Sequence, residues 1–316
     1  MANAVHYPSL AEIPEVELVA LSDLVPEKLA KTAARFGIPH TFRDYREMLA
    51  EVECDAVYLL MPPHHLFDLA IACLRAKKHL FIEKPPGVTY EQARMLAWEA
   101  EKNGVIGMCG FNRRYIPLHT RVRAMVEGYG PIHQCVATFY KRMLAGPAYY
   151  DGAIDVLSCD AVHAVDMLRW MGGEPVHVVG DVARQANAFD DRFNALIRFE
   201  SGGAGVLLAN WAVGGRLHQF EMHAPGISAF VNPDDRAVIL RDGKSDPEII
   251  TTREAAGSEE FRHYYGFAAE ARHFVECIQN GRAPSSALAD AAKTMRLVNQ
   301  IYAHPIDPQQ ARWPGG

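Results

Sequence analysis

The sequence predicts a two-domain protein: an α/β domain built on a doubly wound parallel sheet, followed by an α+β domain with a largely antiparallel sheet. The chain has 316 residues, about twice the length of a typical domain. Its first third alternates apolar strand-like runs with helical runs, as in parallel sheets covered on both faces. After about residue 113, strand-like runs follow one another directly, as in antiparallel sheets. We expect the domains to span residues 1–112 and 113–316.

Within the first domain, strands and helices are predicted in strict alternation. Apolar runs predict strands at 16–23, 55–62, 79–85 and 105–111. Helical spacing predicts helices at 26–37, 44–50, 67–78 and 89–104. Gly37 and Gly104 stand where a helix C-cap is expected. The apolar runs are continuous, so each strand is expected to be buried on both faces.

In the second domain, Gly, Asp and Pro turn signals separate the strand-like runs. Strands are predicted at 132–140, 176–185, 194–200, 203–213, 218–224, 227–232 and 237–242. Helices are predicted at 160–171, 266–281 and 287–303. These runs predict a sheet with one helix inserted and two helices at its end.

Composition excludes several classes of protein. Hydrophobic residues make up 49% and charged residues 22% of the chain, and the net charge is −6. This argues against disorder and against binding of nucleic acid or an anionic membrane surface. No apolar run of transmembrane length and no signal peptide is visible. The six cysteines lie far apart without a CxxC pair, which predicts reduced thiols in the cytoplasm. No HExxH motif or Cys/His cluster predicts a metal site.

Dinucleotide-binding domains begin with a strand, a glycine-rich turn and a helix, followed by a second strand that ends in an acidic residue. The start of this chain departs from that order. Asp23 ends the strand predicted at 16–23. A carboxylate at this place accepts hydrogen bonds from the ribose hydroxyls and repels a 2′-phosphate, so Asp23 favours NAD over NADP. The alternative for Asp23 is a polar residue in a turn. Counting back about 20 residues places the glycine-rich turn at or before Met1. We expect the first strand and this turn to be absent and Met1 to be an internal methionine; a different N-terminal architecture is the alternative.

Four motifs follow one another over nearly the whole chain: EKP at 83–85, GFNRRYIP at 110–117, VHAVDMLRW at 162–170 and RHFVECIQNGRAPSSALADAAKTMRLVNQIY at 272–302. Together they resemble the glucose–fructose oxidoreductase/inositol dehydrogenase/rhizopine-catabolism (Gfo/Idh/MocA) family. The resemblance implies an N-terminal Rossmann-type domain, N-terminally incomplete here, and a substrate-binding domain that forms a homodimer or homotetramer. It also implies NAD(P)-dependent hydride transfer with a sugar, polyol, cyclitol or sugar derivative.

The resemblance assigns catalytic roles to two residues. Lys84 matches the lysine that contacts the reacting oxygen, beside Glu83 and Pro85 at a strand end; the alternative is a surface lysine beside a surface glutamate. His163 matches the catalytic histidine of the substrate domain; the alternative is a packed helical histidine. The family's aspartate four residues before this histidine is replaced by Cys159. Asp160, three residues before His163, shares its helix face and is expected either to assist His163 or to cap the helix.

Further residues are expected to bind cofactor or substrate. Near the cofactor we expect Met61, Pro62, Pro63 and His65 after one strand, Glu83, Lys84 and Pro85 after the next, and Asn112 and Arg113 after a third. Arg114 is expected in an interdomain salt bridge. For substrate we expect Tyr149, Tyr150 and Trp211 beside Lys84, Asp160 and His163, with Trp211 in a strand where an aromatic residue is more often core. Arg142 and Arg216 are candidates for holding a carboxylate.

Two other chemistries and one other function are alternatives to hydride transfer. No GxSxG motif predicts a hydrolase. Cys159 near His163 resembles a nucleophile–base pair, although a buried thiol filling a gap is the simpler interpretation. The alternative function is a non-catalytic or impaired member that binds a nucleotide or sugar as a regulator or scaffold.

Overall fold

The computed structural model describes residues 1–307, and its first domain contains five short parallel strands in two separate sheets. In the first sheet, β1 (Ala20–Ser22) pairs with β2 (His40–Phe42). The second sheet contains β3 (Ala56–Leu59), β4 (His79–Glu83) and β5 (Gly107–Gly110) in that order. The predicted strands 79–85 and 105–111 thus occur with shorter bounds.

The helices of this domain follow its strands as predicted. Gly37 and Gly104 end two of them in the left-handed conformation, each with φ of 65°, which glycine adopts without steric cost. The Thr89 hydroxyl accepts a hydrogen bond from the Gln92 amide and caps another helix start. The helices are α1 (Tyr7–Ala11, preceded by a π-helical turn Ala2–His6), α2 (Pro26–Phe36), α3 (Tyr45–Glu51), α4 (Leu66–Arg75) and α5 (Tyr90–Asn103).

A cavity separates the two parallel sheets. Its volume is about 1440 Å³, and residues of both β1 and β3 line it. Within residues 1–307, β1 pairs with β2 alone and β3 with β4 alone. Among the described residues no strand lies between β1 and β3, and that a first strand belongs there stays a prediction.

The second domain is built on an eight-stranded sheet whose order is β13-β12-β11-β10-β6-β9-β8-β7. Every pairing is antiparallel except that of β6 with β9, so the predicted largely antiparallel sheet is confirmed. The strands are β6 (Gln134–Arg142), β7 (Pro175–Ala183), β8 (Arg192–Phe199), β9 (Ala204–Asn210), β10 (Ala212–Ala224), β11 (Ile227–Val231), β12 (Arg236–Arg241) and β13 (Glu248–Thr251).

Helices cover one face of this sheet and return to the first domain. The helix α7 (Val162–Gly172), preceded by a π-helical turn Leu157–Ala161, packs on β6 and β9. The chain then ends its described part with α10 (Phe267–Gln279) and α11 (Leu288–Ala303). Phe274 of α10 shares a core cluster with Phe81 and Met108 of the parallel sheet. The remaining helices are α6 (Pro117–Glu127), α8 (Thr252–Ala256) and α9 (Phe261–Tyr264).

Several predicted bounds were wrong. The strand expected at 203–213 is interrupted at Trp211, which lies between β9 and β10 rather than within a strand. The interruption is local because the Asn210 side chain accepts a hydrogen bond from the Ala212 amide, turning the backbone between the two strands. The prediction also missed five elements, β2, β13, α6, α8 and α9, of which the two strands are only three and four residues long.

None of the helices in residues 1–307 has both the length and the apolar character needed to cross a bilayer.

Candidate active site

Lys84 follows the end of β4, where the chain leaves the buried parallel sheet. Its ammonium nitrogen donates a hydrogen bond of 2.8 Å to the carbonyl oxygen of Cys159. The Lys84–Pro85 peptide bond is cis. The Glu83 carboxylate accepts the Lys84 backbone N–H at 3.1 Å and lies 2.6 Å from Nε2 of buried His6. Glu83 is therefore held by protein contacts on both sides, and Lys84 projects toward the second domain.

Asp160 lies in the turn before α7, and its carboxylate is held by two side chains from other elements. Oδ2 forms an ion pair with Nζ of Lys141, on β6, and accepts the Tyr149 hydroxyl at 2.9 Å. The indole N–H of Trp211 donates to the same Tyr149 oxygen at 3.1 Å. The expected alternative, in which Asp160 caps the helix, was wrong: Ala161 occupies the N-cap position and no side chain bonds there.

The charges of Lys84 and Lys141 determine which form of Asp160 is stable. Burial alone would raise the pKa of Asp160, but the two ammonium groups and the hydrogen bonds from Lys141 and Tyr149 hold it below its usual value. Burial lowers the pKa of Lys141 in spite of its contact with Asp160. Asp160 is thus ionised at neutral pH.

His163 is a buried, neutral histidine at the same place. It is 8% exposed, and its ring centre lies 6.5 Å from that of Phe139. Burial, followed by the charges of Lys84, Arg113 and Lys141, lowers its pKa well below the ordinary value. Among the described residues its Nδ1 atom has no hydrogen-bond partner. A neutral imidazole with an unpaired nitrogen can accept or donate a proton.

The thiol alternative receives no support from the geometry. Burial raises the pKa of Cys159 to about 11, against the charge of Lys84 that lowers it. A thiol with such a pKa stays protonated at neutral pH, and the protonated form is a weak nucleophile.

The three consecutive residues Asn112, Arg113 and Arg114, after β5, contact different parts of the protein. The Asn112 side chain donates to the Tyr265 carbonyl at 2.9 Å and is 4% exposed. Arg113 contacts Nδ1 of His218 at 3.1 Å and packs over aromatic rings. Arg114 forms a buried ion pair with Asp166 at 2.5 Å. Asn112 and Arg114 therefore make structural contacts, whereas Arg113 lies beside the site.

The aromatic candidates differ in exposure. Tyr149 reaches the site through its hydroxyl, as described above. Tyr150 is 45% exposed, has a φ of 49° and places its ring 5.2 Å from that of His64. Trp211 is 1% exposed and stacks near Phe139. Its ring is therefore part of the core, and it contacts the site through the indole N–H.

The predicted cofactor residues lie at the carboxyl ends of the parallel strands, the edge where such sheets bind dinucleotides. Asp23, Met61, Pro62 and His65 line the cavity between β1 and β3, and Pro63 is buried beside it. Oδ1 of Asp23 accepts the backbone N–H of Val25, a turn contact that engages one of the two carboxylate oxygens. That Asp23 contacts an adenosine ribose, and that Met61 and Pro62 lie beside the nicotinamide half, stays a prediction.

Sequence reasoning missed Lys141 as a site residue, although a signal for it exists. Lys141 and Phe139 are two residues apart on β6, so they share one face of the sheet. Lys141 also lies 5.5 Å from the centre of the Phe139 ring. A charged residue in register with a buried aromatic one on the helix-covered face is the pattern that would have identified it.

The absence of a metal remains a prediction. In the described part of the chain, one group with metal-ligand spacing occurs, formed by Glu12, Glu260 and His263. The Arg262 guanidinium forms ion pairs with both glutamates.

The parallel α/β domain thus brings Lys84 to the start of α7 in the sheet domain, where Asp160 and His163 lie. Residues 1–111 match the family described as an oxidoreductase family with an NAD-binding Rossmann fold, and residues 119–225 match the GFO/IDH/MocA C-terminal domain. The chain belongs to the Gfo/Idh/MocA family of NAD-binding oxidoreductases.

Curated relatives cover nearly the same length. A 4-carboxy-2-hydroxymuconate-6-semialdehyde dehydrogenase of Sphingobium sp. is 26% identical over 304 residues, covering 94% of this chain and 93% of the relative. A myo-inositol 2-dehydrogenase of Thermotoga maritima is 25% identical over 314 residues, covering 93% and 90%. A levoglucosan dehydrogenase solved with NADH and levoglucosan has a TM-score of 0.84 at 20% identity, covering 99% of this chain and 96% of that chain.

Proposed function

We propose that the chain transfers a hydride between NAD and the CH–OH carbon of a sugar, polyol, cyclitol or sugar derivative. The observation that carries this is the contact between the end of β4 and the start of α7. Lys84 bonds the Cys159 carbonyl, Asp160 is the next residue, and His163 lies three residues later on the same helical path. The names of the curated relatives, which include a myo-inositol dehydrogenase, support the substrate class.

Each of the three side chains has a role that follows from its charge. Nicotinamide, when bound, accepts or releases the hydride. The chain must therefore handle only the proton and the charge on the substrate oxygen. The Lys84 ammonium donates a hydrogen bond to that oxygen as negative charge develops. Neutral His163 accepts or returns the hydroxyl proton. Ionised Asp160 holds Lys141 and the Tyr149 hydroxyl in position beside Lys84.

Replacing Lys84 tests this mechanism. We expect Lys84→Ala to lower kcat by about 10²- to 10⁴-fold, the usual effect of losing a positioned acid–base group. Affinity for NADH, measured by fluorescence titration, should stay near that of the wild type. Lys102→Ala, which removes a lysine exposed over the Trp98 ring, is the matched control. Unchanged turnover would remove Lys84 from the mechanism, and failure of the wild type to bind NADH would favour the non-catalytic alternative.

Preference for NAD over NADP, assembly and location are further parts of the proposal. The second oxygen of Asp23 supports a contact with ribose and repulsion of a 2′-phosphate.

Val179 and Leu196, 43% and 59% exposed, are partners on adjacent strands of the large sheet, which supports a homodimer or homotetramer through this face. The six cysteines are free thiols, which supports a cytoplasmic location.

A further inference from the structure

The side chains around Phe139 concentrate positive charge beside the candidate catalytic histidine. The Arg113 guanidinium carbon lies 5.0 Å from the centre of the Phe139 ring, and the Lys141 ammonium nitrogen lies 5.5 Å from it. The His163 ring centre is 6.5 Å from the same ring. Two cations therefore share one aromatic ring with His163.

Arg113 differs from the arginine that follows it. Both are buried, at 4% and 6% exposed. Arg114 forms ion pairs with Asp166 at 2.5 Å and with Asp290 at 2.7 Å. Within the described residues, the Arg113 guanidinium forms a hydrogen bond only with Nδ1 of His218, and its Nε and Nη1 atoms have no partner. Buried charges are normally paired because an unpaired one loses its hydration without compensation. Arg113 thus lacks a counterion within residues 1–307.

Asp160, the carboxylate of the site, is already paired with another cation and does not serve Arg113. Asp160 is engaged by Lys141. Lys84 bonds a neutral backbone carbonyl, that of Cys159. Among the ion pairs of the described residues, these three cations share one carboxylate, so the site holds an excess of positive charge.

We propose that the substrate supplies the missing negative charge, and that it is a polyhydroxylated carboxylic acid of the aldonate or uronate class. Its carboxylate lies against Lys141, whose side chain is 29% exposed and offers donors that Asp160 does not use. Buried Arg113 acts through its charge from beside Phe139, and the substrate carboxylate offsets one of the two positive charges that Asp160 leaves unbalanced. The inference rests on the proposed hydride transfer and narrows its substrates.

Matched substrate pairs test the inference by activity. We expect the wild-type chain with NAD⁺ to show kcat/KM at least about tenfold higher for gluconate than for glucitol, and for glucuronate than for glucose, since a charge-assisted hydrogen bond is worth this factor. Lys141→Met should erase the preference mainly through KM. Arg113→Met should reduce it, and Arg113→Lys should restore part of it. Arg198→Met, which removes an exposed arginine on β8 that bonds only the Gly202 carbonyl, should leave the preference unchanged.

A binding measurement separates this inference from the proposed function. Without cofactor, gluconate should raise the Tm of the wild type and of Arg198→Met but not of Lys141→Met, whatever the activity. Equal kcat/KM within both pairs, or no Tm shift with either acid, overturns the carboxylate and leaves hydride transfer standing. A stronger effect of glucose 6-phosphate than of gluconate also overturns it, in favour of a phosphate. A Tm shift without any turnover upholds the anion site and contradicts the proposed reaction.

Discussion

At the scale of single residues, the local motif predicted Lys84 and His163, while their partners came from distant parts of the chain. Asp160 is bonded by Lys141, nineteen residues earlier on β6, and by Tyr149. Lys141 is one of nine lysines; its spacing from Phe139 indicates which face of β6 it shares, but not that the strand carries it to the turn before α7. A side chain's pKa depends on such neighbours, so sequence alone could not predict that Asp160 is ionised and His163 neutral.

Glu270 is a buried carboxyl that the mechanism does not use. It is 1% exposed on α10, and within the described residues neither of its oxygens has a hydrogen-bond partner. Burial, reinforced by the charges of Glu83 and Asp166, raises its pKa well above the usual value. The folded state therefore keeps the proton over a pH range in which the unfolded state, with a pKa of about 4.3, has released it.

The sign of the resulting pH dependence follows from linkage. Protonated Glu270 makes its full contribution to the free energy of unfolding below about pH 4.3. This contribution falls by about 1.4 kcal/mol for each pH unit between the unfolded and the folded pKa, and is lost as the pH rises through the folded pKa. We expect Glu270→Gln to be more stable than the wild type at pH 8, with a smaller difference at pH 5, by urea unfolding. Glu276→Gln, on the same helix with a side chain that is 46% exposed, is the control. Parallel curves for wild type and Glu270→Gln would show that Glu270 is ionised in the folded state.

At the scale of elements, strand bounds depend on pairing as well as on apolar sequence. The run 16–23 was predicted as one strand, but only Ala20–Ser22 pairs, with His40–Phe42. Residues 16–19 form no ladder, and β3, on the other side of the cavity, is too far away to pair with them. By contrast, the predicted strand at 227–232 is close to the observed Ile227–Val231, since both of its neighbours are joined to it by short turns.

The packing of α11 on β7 depends on the absence of a side chain at Gly180. A Cβ atom there would lie 2.0 Å from the carbonyl oxygen of Ile301, a backbone atom that cannot rotate away. We expect Gly180→Ala to lower the free energy of unfolding by about 1–3 kcal/mol, the usual cost of overpacking. The matched control is Gly214→Ala on β10, where a Cβ meets nothing within 4 Å. Equal urea midpoints for the two variants would show that α11 does not pack on β7 this closely in solution.

At the scale of the whole molecule, the division at residues 1–112 and 113–316 describes the chain order better than the packing. The helices α10 and α11 belong to the second segment but pack on the first: α10 places Phe274 against Phe81, and α11 packs on α5. The boundary itself remains a prediction. The outer face of the large sheet carries exposed apolar side chains among polar ones, with Val176, Val179 and Leu196 between 43% and 59% exposed.

This exposed face predicts self-association. We expect Leu196→Asp to convert the proposed homo-oligomer to a monomer, because a carboxylate buried in an apolar interface loses its hydration. Light scattering after gel filtration measures the mass. Met95→Asp, at a 42% exposed position on α5 of the first domain, should keep the wild-type mass. An oligomer that survives Leu196→Asp would exclude this sheet face from the interface, as would a monomeric wild type.

The sequence by itself determined the alternation of strands and helices in the first domain, the class of each domain, the family and the motifs that contain Lys84 and His163. These are carried by local periodicity, turn residues and short motifs, which a single stretch of chain contains. Only the tertiary structure decided that Asp160 pairs with Lys141, that Trp211 is core, that Arg113 is left without a counterion, and that β1 and β3 face each other across a cavity. Those features arise from contacts between residues far apart in the chain, and their burial and charge exist only once the sheets and helices have packed.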